Sequence, residues 1–122
     1  MIGDCLARKR KLVDLCIAAG RQDRFLVRIV CQELEAWFLG DMAALQVVGT
    51  QTAGGINFKK LRNRYPDPDS IHYPAKELEK IFGNYYKISG AKTIAPHINI
   101  DINRSRSFKN FIGAVNKLIA QV

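Results

Sequence analysis

The chain has 122 residues, and its 19 lysine and arginine residues outnumber 11 aspartate and glutamate residues, for a formal net charge of +8 at pH 7. This length suits one domain, 1–122, and the composition excludes a disordered chain. No apolar run approaches the roughly 20 residues of a membrane helix, and no signal-peptide pattern follows the basic N-terminus. We therefore predict a cytoplasmic protein without membrane contact. The charge permits binding to nucleic acid.

The N-terminal part of the sequence predicts one helix followed by one strand. Asp4 is suited to cap a helix over residues 4–19, and Gly20 is suited to end it. Residues 25–30 (FLVRIV) are apolar at nearly every position and rich in β-branched side chains, which is typical of a strand buried on both faces. A single strand cannot pair its own backbone groups. We therefore predict an α/β fold, mostly helical, with one or two strands of a sheet that a homodimer or another partner completes.

The rest of the sequence predicts helices separated by loops. A short helix follows the strand over residues 33–39, and Asp41 caps a second one that runs to about residue 48. Glycines at 49–55 indicate a loop, and Pro74 suits the first turn of a later helix. Because Pro96 would break or kink a helix, residues 89–98 are predicted to be irregular or weakly helical. The last helix begins at Ser105 or Ser107 and has apolar residues at helical spacing.

Three carboxylates close to the predicted strand end are candidates for chemistry. Glu33, Glu35 and Asp41 are hard oxygen ligands of the kind that Mg²⁺ or Mn²⁺ prefers. Glu33 and Glu35 would face different ways on a helix, so both reach one ion only where the backbone is extended. The alternative is structural: Glu33 at a helix N-terminus, Glu35 in an ion pair and Asp41 as a cap.

Other polar residues are candidates for phosphate binding or acid–base work. Lys92 follows a Ser-Gly-Ala run that weakly resembles a phosphate loop. At the start of the last helix, free amides and the helix dipole attract anions. The residues predicted there to bind nucleic-acid phosphate, or alternatively to form a plain cap, are Arg104, Ser105, Arg106 and Ser107. His97 is either a hydrogen-bonded structural residue or a general acid–base. Trp37 is read as core packing, with base stacking as the rival.

Three stretches carry a resemblance to a known family. Residues 27–41 (VRIVCQELEAWFLGD), 89–98 (SGAKTIAPHI) and 103–108 (NRSRSF) resemble blocks of a bacterial Toprim-like family, domain-of-unknown-function family 4276. The resemblance implies a Toprim-like sheet whose N-terminal part, with a glutamate-bearing turn and a DxD motif, is missing here. It therefore implies that the chain is the C-terminal portion of a longer domain.

Two functions follow from this resemblance. The chain as given is predicted to be a non-catalytic subunit that binds nucleic acid or a partner. The alternative, for a full-length protein, is an Mg²⁺- or Mn²⁺-dependent nuclease of a bacterial defence system beside an ATPase partner. In that reading Glu33 and Glu35 support the metal, His97 assists catalysis, and Arg104 and Arg106 hold phosphate.

Overall fold

The computed structural model describes residues 2–21, 24–30, 32–52 and 57–121. The described residues form helices, two 3₁₀ turns at Pro68–Ser70 and Ala95–His97, and irregular connections. The helices are α1 (Ile2–Ala18), α2 (Glu35–Leu39), α3 (Met42–Thr52), α4 (Phe58–Arg64), α5 (Pro74–Phe82), α6 (Lys87–Ile94) and α7 (Arg106–Ala120).

The predicted α/β fold with a Toprim-like sheet is wrong for the described part of the chain, which contains no strand. Residues 25–30 are irregular, and no backbone hydrogen bond joins them to another described residue. A side-chain hydrogen bond links them to the helices: the Arg28 Nε donates to the Asn110 carbonyl of α7 at 3.3 Å. An apolar β-branched run becomes a strand only beside another extended segment, and the described surroundings are helical.

The core is built around α2 and α3. Leu39 and Leu45 are fully buried there, and α4, α5 and α6 pack around them. Phe58 begins α4 and lies against Gly49, whose missing side chain lets the two helices approach closely. The buried apolar cluster contains Phe38, Leu39, Met42, Leu45, Val48, Phe58, Tyr65, Leu78 and Ile94. Short helices thus bury their apolar faces jointly, since none of this length is stable alone.

Most helix boundaries agree with the sequence. Asp41 caps α3, Pro74 starts α5 and Ser105 caps α7, as predicted. The loop prediction is wrong for residues 49–52, which continue α3, while 53–55 lie outside the described residues. Residues 89–94 are helical as well. Pro96 falls in the 3₁₀ turn after α6, where it removes no bond from the helix.

Helix α1 lies apart from the core. Leu6, Val13, Cys16 and Ile17 have the spacing of an apolar stripe along this helix, but Leu6 and Ile17 are exposed, whereas Val13 and Cys16 are half-buried. The thiols of Cys5 and Cys16 are free and half-buried, and Cys31 lies outside the described residues. Of the helices in the described ranges, none has both the length and the apolarity needed to cross a membrane.

Candidate functional site

The residues predicted to carry function lie in three separate places. Glu33 and Glu35 lie beside the start of α6, and Lys92 lies in the last turn of the same helix. Asp41 lies at the start of α3, near the 3₁₀ turn that holds His97. The four residues from Arg104 to Ser107 lie at the N-terminus of α7.

Glu33 and Glu35 converge on the segment between α5 and α6. Glu33 precedes α2, so the helical spacing that would separate the two side chains does not apply. The Lys87 Nζ donates to the Glu33 Oε2 at 2.7 Å, and the Ala75 amide donates to the Oε1 at 3.3 Å. The Tyr85 hydroxyl donates to the Glu35 Oε1 at 3.2 Å. Two carboxylates, one ammonium and one phenol thus share a small region.

The charges in this region act on one another. The hydrogen bond from Lys87 lowers the pKa of Glu33, and the same bond raises the pKa of Lys87. Burial raises the pKa of the Tyr85 phenol, and the negative charge of Glu35 raises it further. At neutral pH the Glu33 carboxylate and the Lys87 ammonium are therefore both charged, and Tyr85 is a neutral hydrogen-bond donor.

Beside these carboxylates, the first turn of α6 forms an aromatic and basic groove. Tyr86 is 70% exposed, and together with Lys87 and Lys92 it lines a surface cavity of about 540 Å³. Tyr85, Ile88 and Ser89 complete the lining. Gly90 lets the Tyr85 ring lie against α6, because a side chain at Gly90 would overlap the ring. The groove thus presents an aromatic surface and two ammonium groups to solvent.

Asp41 is buried, with 2% of its surface exposed, and both of its oxygens accept backbone amides. The Ala44 amide donates to the Oδ1 at 3.0 Å, and the Asn99 amide donates to the Oδ2 at 2.7 Å. The carboxylate therefore joins the start of α3 to the loop that follows the second 3₁₀ turn. His97 lies on that turn with an exposed side chain.

The N-terminus of α7 already holds an anion, the carboxylate of Asp69. The Ser105 Oγ and the Ser107 Oγ donate to the Asp69 Oδ1 at 2.6 and 3.1 Å, and the Ser107 amide donates to the Oδ2 at 2.8 Å. Ser105 also accepts the Phe108 amide as the helix cap. In this structure the chain itself supplies the negative charge that a helix N-terminus attracts.

The neighbouring side chains fix α7 to the rest of the fold. The Arg104 guanidinium donates to the carbonyls of Arg62 and Pro66, at the end of α4, and Arg106 is exposed. The Trp37 Nε1 donates to the Ser107 Oγ at 2.8 Å, and the Trp37 ring stacks on Phe111. The packing interpretation of Trp37 is confirmed.

The three predicted metal-ligating acids are not brought together. Within the described ranges, no group of three histidine, cysteine, aspartate or glutamate side chains is arranged to hold a metal ion. Glu33 and Glu35 are neighbours, but the Lys87 ammonium already lies against Glu33. A divalent ion there would have to displace that ammonium, because both cations balance the same carboxylate.

Sequence reasoning missed three residues that shape these places. Tyr86 and Lys87 are an aromatic and a basic residue side by side, the two residue types that single-strand binding combines. Asp69 lies in a stretch, residues 66–69 (PDPD), whose composition is typical of a turn. Its partners lie 36 and 38 residues away, so no local pattern indicates them.

We compared the chain with known proteins and families. No curated protein and no solved structure gave a match. The model of a family described as "Domain of unknown function (DUF4276)" matches residues 6–116, which is nearly the whole chain. The match includes all three stretches on which the resemblance rested. The chain therefore belongs to the DUF4276 family.

Proposed function

We propose that this chain is a non-catalytic subunit that binds single-stranded nucleic acid through the groove at the start of α6. The observation that carries the proposal is the exposed Tyr86 ring, which lines the same surface groove as Lys87 and Lys92. The homodimer and the ATPase partner stay predictions.

The groove offers both kinds of contact that single strands need. Bases have an apolar face that stacks on an exposed aromatic ring, and phosphates are drawn to lysine ammonium groups. Tyr86 supplies the ring, and Lys92, in the last turn of α6, supplies an exposed ammonium group on the lining of the same groove. The Lys87 ammonium already forms an ion pair with Glu33, so Lys92 is the stronger candidate for phosphate contact. The net charge of +8 favours the approach of any polyanion to the chain.

Replacing Tyr86 by alanine should weaken the binding of a labelled oligothymidylate by roughly 10-fold, because one stacked base contributes about 1–3 kcal/mol. Replacing Lys92 by alanine should lower the slope of log affinity against log salt concentration by about 0.7, the value for one phosphate contact on a single strand. Fluorescence anisotropy over a salt series measures both quantities.

The matched control is Tyr73→Ala. Tyr73 is exposed to a similar extent, at 68%, and the Lys76 ammonium lies 5.4 Å from its ring centroid, but it lies outside the groove. The control should keep the affinity of the unmodified chain. Equal losses for the two tyrosine variants, or an affinity that does not change with salt, would contradict the proposal.

A second candidate function rests on the convergence of Glu33 and Glu35 near Tyr85. Two carboxylates beside a phosphate-binding groove are a donor set that Mg²⁺ accepts in phosphodiester-cleaving sites, where substrate phosphate and water complete the shell. Residues of this chain would then hold the ion with Glu33 and Glu35 and orient the phosphate with Lys92. This is the nuclease alternative, in which the same groove receives the substrate.

Cleavage of plasmid DNA in the presence of Mg²⁺ or Mn²⁺ tests this alternative. If it holds, Glu33→Gln should reduce the cleavage rate by more than the roughly 10–100-fold that loss of an outer-shell partner of a metal costs. Glu79→Gln is the matched control, since Glu79 is an exposed glutamate of α5 that forms no ion pair with another described residue. Absence of cleavage by the unmodified chain leaves the binding function alone.

A further inference from the structure

A second groove, between α4 and α5, gathers three cationic side chains. Lys60 and Arg64 lie one turn apart on α4, and Lys80 faces them from α5. Together with the apolar side chains of Leu61 and Ile81 they line a cavity of about 310 Å³. This groove is distinct from the one at α6, with which it shares no lining residue.

The cations of this groove have few negative partners. Helix α4 carries four basic residues in seven positions and no acidic one. Among the described residues, neither Lys60 nor Arg64 forms an ion pair. The Arg64 guanidinium lies 5.6 Å from the ring centroid of Tyr65. This cation–π contact does not neutralise the charge of Arg64.

The acidic group that faces the groove is Glu77, and it is already engaged. Its Oε2 accepts the Tyr65 hydroxyl, and its Oε1 accepts the Lys80 Nζ at 3.2 Å. The Tyr65 hydrogen bond lowers the pKa of Glu77, so the carboxylate is ionised at neutral pH. Burial raises the pKa of Tyr65 to about 12, so the phenol stays neutral. Three cations and one carboxylate leave two positive charges.

We propose that this groove is a binding site for a phosphate group. Two uncompensated positive charges attract a phosphate group, which carries about −1.5 to −2 as a monoester near neutral pH and one negative charge as a backbone phosphodiester. Ammonium groups from two sides and the guanidinium of Arg64 offer the charge-assisted hydrogen bonds that phosphate oxygens accept. The phosphate comes either from a free small molecule such as pyrophosphate or from a nucleic-acid backbone. The site does not depend on the proposed role of the α6 groove.

Isothermal titration calorimetry of the full chain with pyrophosphate tests the site. The unmodified chain should show one saturable binding event that weakens as salt is added. The double variant Lys60→Ala/Arg64→Ala should bind at least roughly 10-fold more weakly, because two charge-assisted contacts are lost. All four basic side chains of α4 are exposed, so these substitutions should leave the helical circular dichroism unchanged.

The matched control is Lys59→Ala/Arg62→Ala, which removes the same charge from the same helix but outside the groove lining. It should change the affinity less than about 3-fold, the size of a general charge effect. Absence of saturable binding to the unmodified chain, or equal losses in the two double variants, would overturn the proposal.

An oligothymidylate competition separates the two sources of phosphate. Displacement of pyrophosphate by the oligonucleotide in the Tyr86→Ala chain assigns the groove to nucleic-acid phosphate, and persistence of pyrophosphate binding assigns it to a small molecule. Both outcomes support the site. The Tyr86→Ala experiment tests the α6 groove, which is a different surface. The proposed function can therefore fail while the phosphate site is supported, and the phosphate site can fail while the proposed function is supported.

Discussion

Gly40→Ala should destabilise the fold by about 3 kcal/mol, the combined size of overpacking and a disrupted buried hydrogen bond. A methyl group at Gly40 would overlap the Asn103 Oδ1 and lie 2.9 Å from the Ser105 amide nitrogen. Asn103 is fully buried, accepts that amide at 2.8 Å and donates to the Trp37 carbonyl at 2.8 Å. The added carbon therefore strains the connection between α2 and α7. Urea unfolding followed by circular dichroism measures the loss.

Gly113→Ala is the matched control for this substitution. Gly113 lies exposed within α7, and an added methyl group there would meet nothing within 4 Å. The change should stabilise the chain by about 0.5–1 kcal/mol, since alanine restricts the unfolded state and favours a helix. Equal effects of the two substitutions would show that Gly40 is not in close contact with Asn103.

Asp69→Ala should cost about 3 kcal/mol in the free energy of unfolding. The substitution removes three hydrogen bonds to Ser105 and Ser107 and leaves buried hydroxyl groups near the N-terminus of α7 without their acceptor. Hydrogen bonds to a charged acceptor contribute about 1.5–3 kcal/mol each, and they are not additive in one cluster. Urea unfolding of the variant and of the unmodified chain, at the same pH, measures the difference.

Asp67→Ala is the control for Asp69. Asp67 lies in the same turn and is exposed, and its carboxylate accepts the Asp69 amide at 3.2 Å. Its loss should cost less than about 1 kcal/mol, the value of an ordinary cap. If Asp69→Ala were no more destabilising than Asp67→Ala, the Asp69 carboxylate would not be the group that stabilises the N-terminus of α7. A coupling above about 0.5 kcal/mol between Asp69→Ala and Ser107→Ala would support the contact independently.

The helices could largely be predicted from the sequence because their signals are local. Asp41, Pro74 and Ser105 mark helix starts through their own backbone preferences, and the apolar spacing of α7 fits its packed face. The sheet prediction failed because a strand is defined by a neighbour, and residues 25–30 have no extended neighbour among the described residues. The composition of residues 25–30 does not indicate whether such a neighbour exists.

The candidate sites could be predicted only in part, for a similar reason. The sequence singled out Glu33, Glu35 and Lys92, yet the feature that unites them is Lys87, which reaches Glu33 across 54 residues. It also singled out Ser105 and Ser107, but their partner Asp69 comes from a distant turn. Residue type indicates what a side chain can bind, whereas the fold determines which partner lies within hydrogen-bond distance.

The position of the single tryptophan has a consequence for optical measurements on this protein. Because its indole lies between α2 and α7 and donates to Ser107, its fluorescence emission reports the separation of those two helices. The groove between α4 and α5 lacks such a reporter, although Tyr65 borders it. Comparing tryptophan emission with helical circular dichroism during denaturation therefore shows whether the contact between α2 and α7 is lost together with the rest of the helical structure or separately from it.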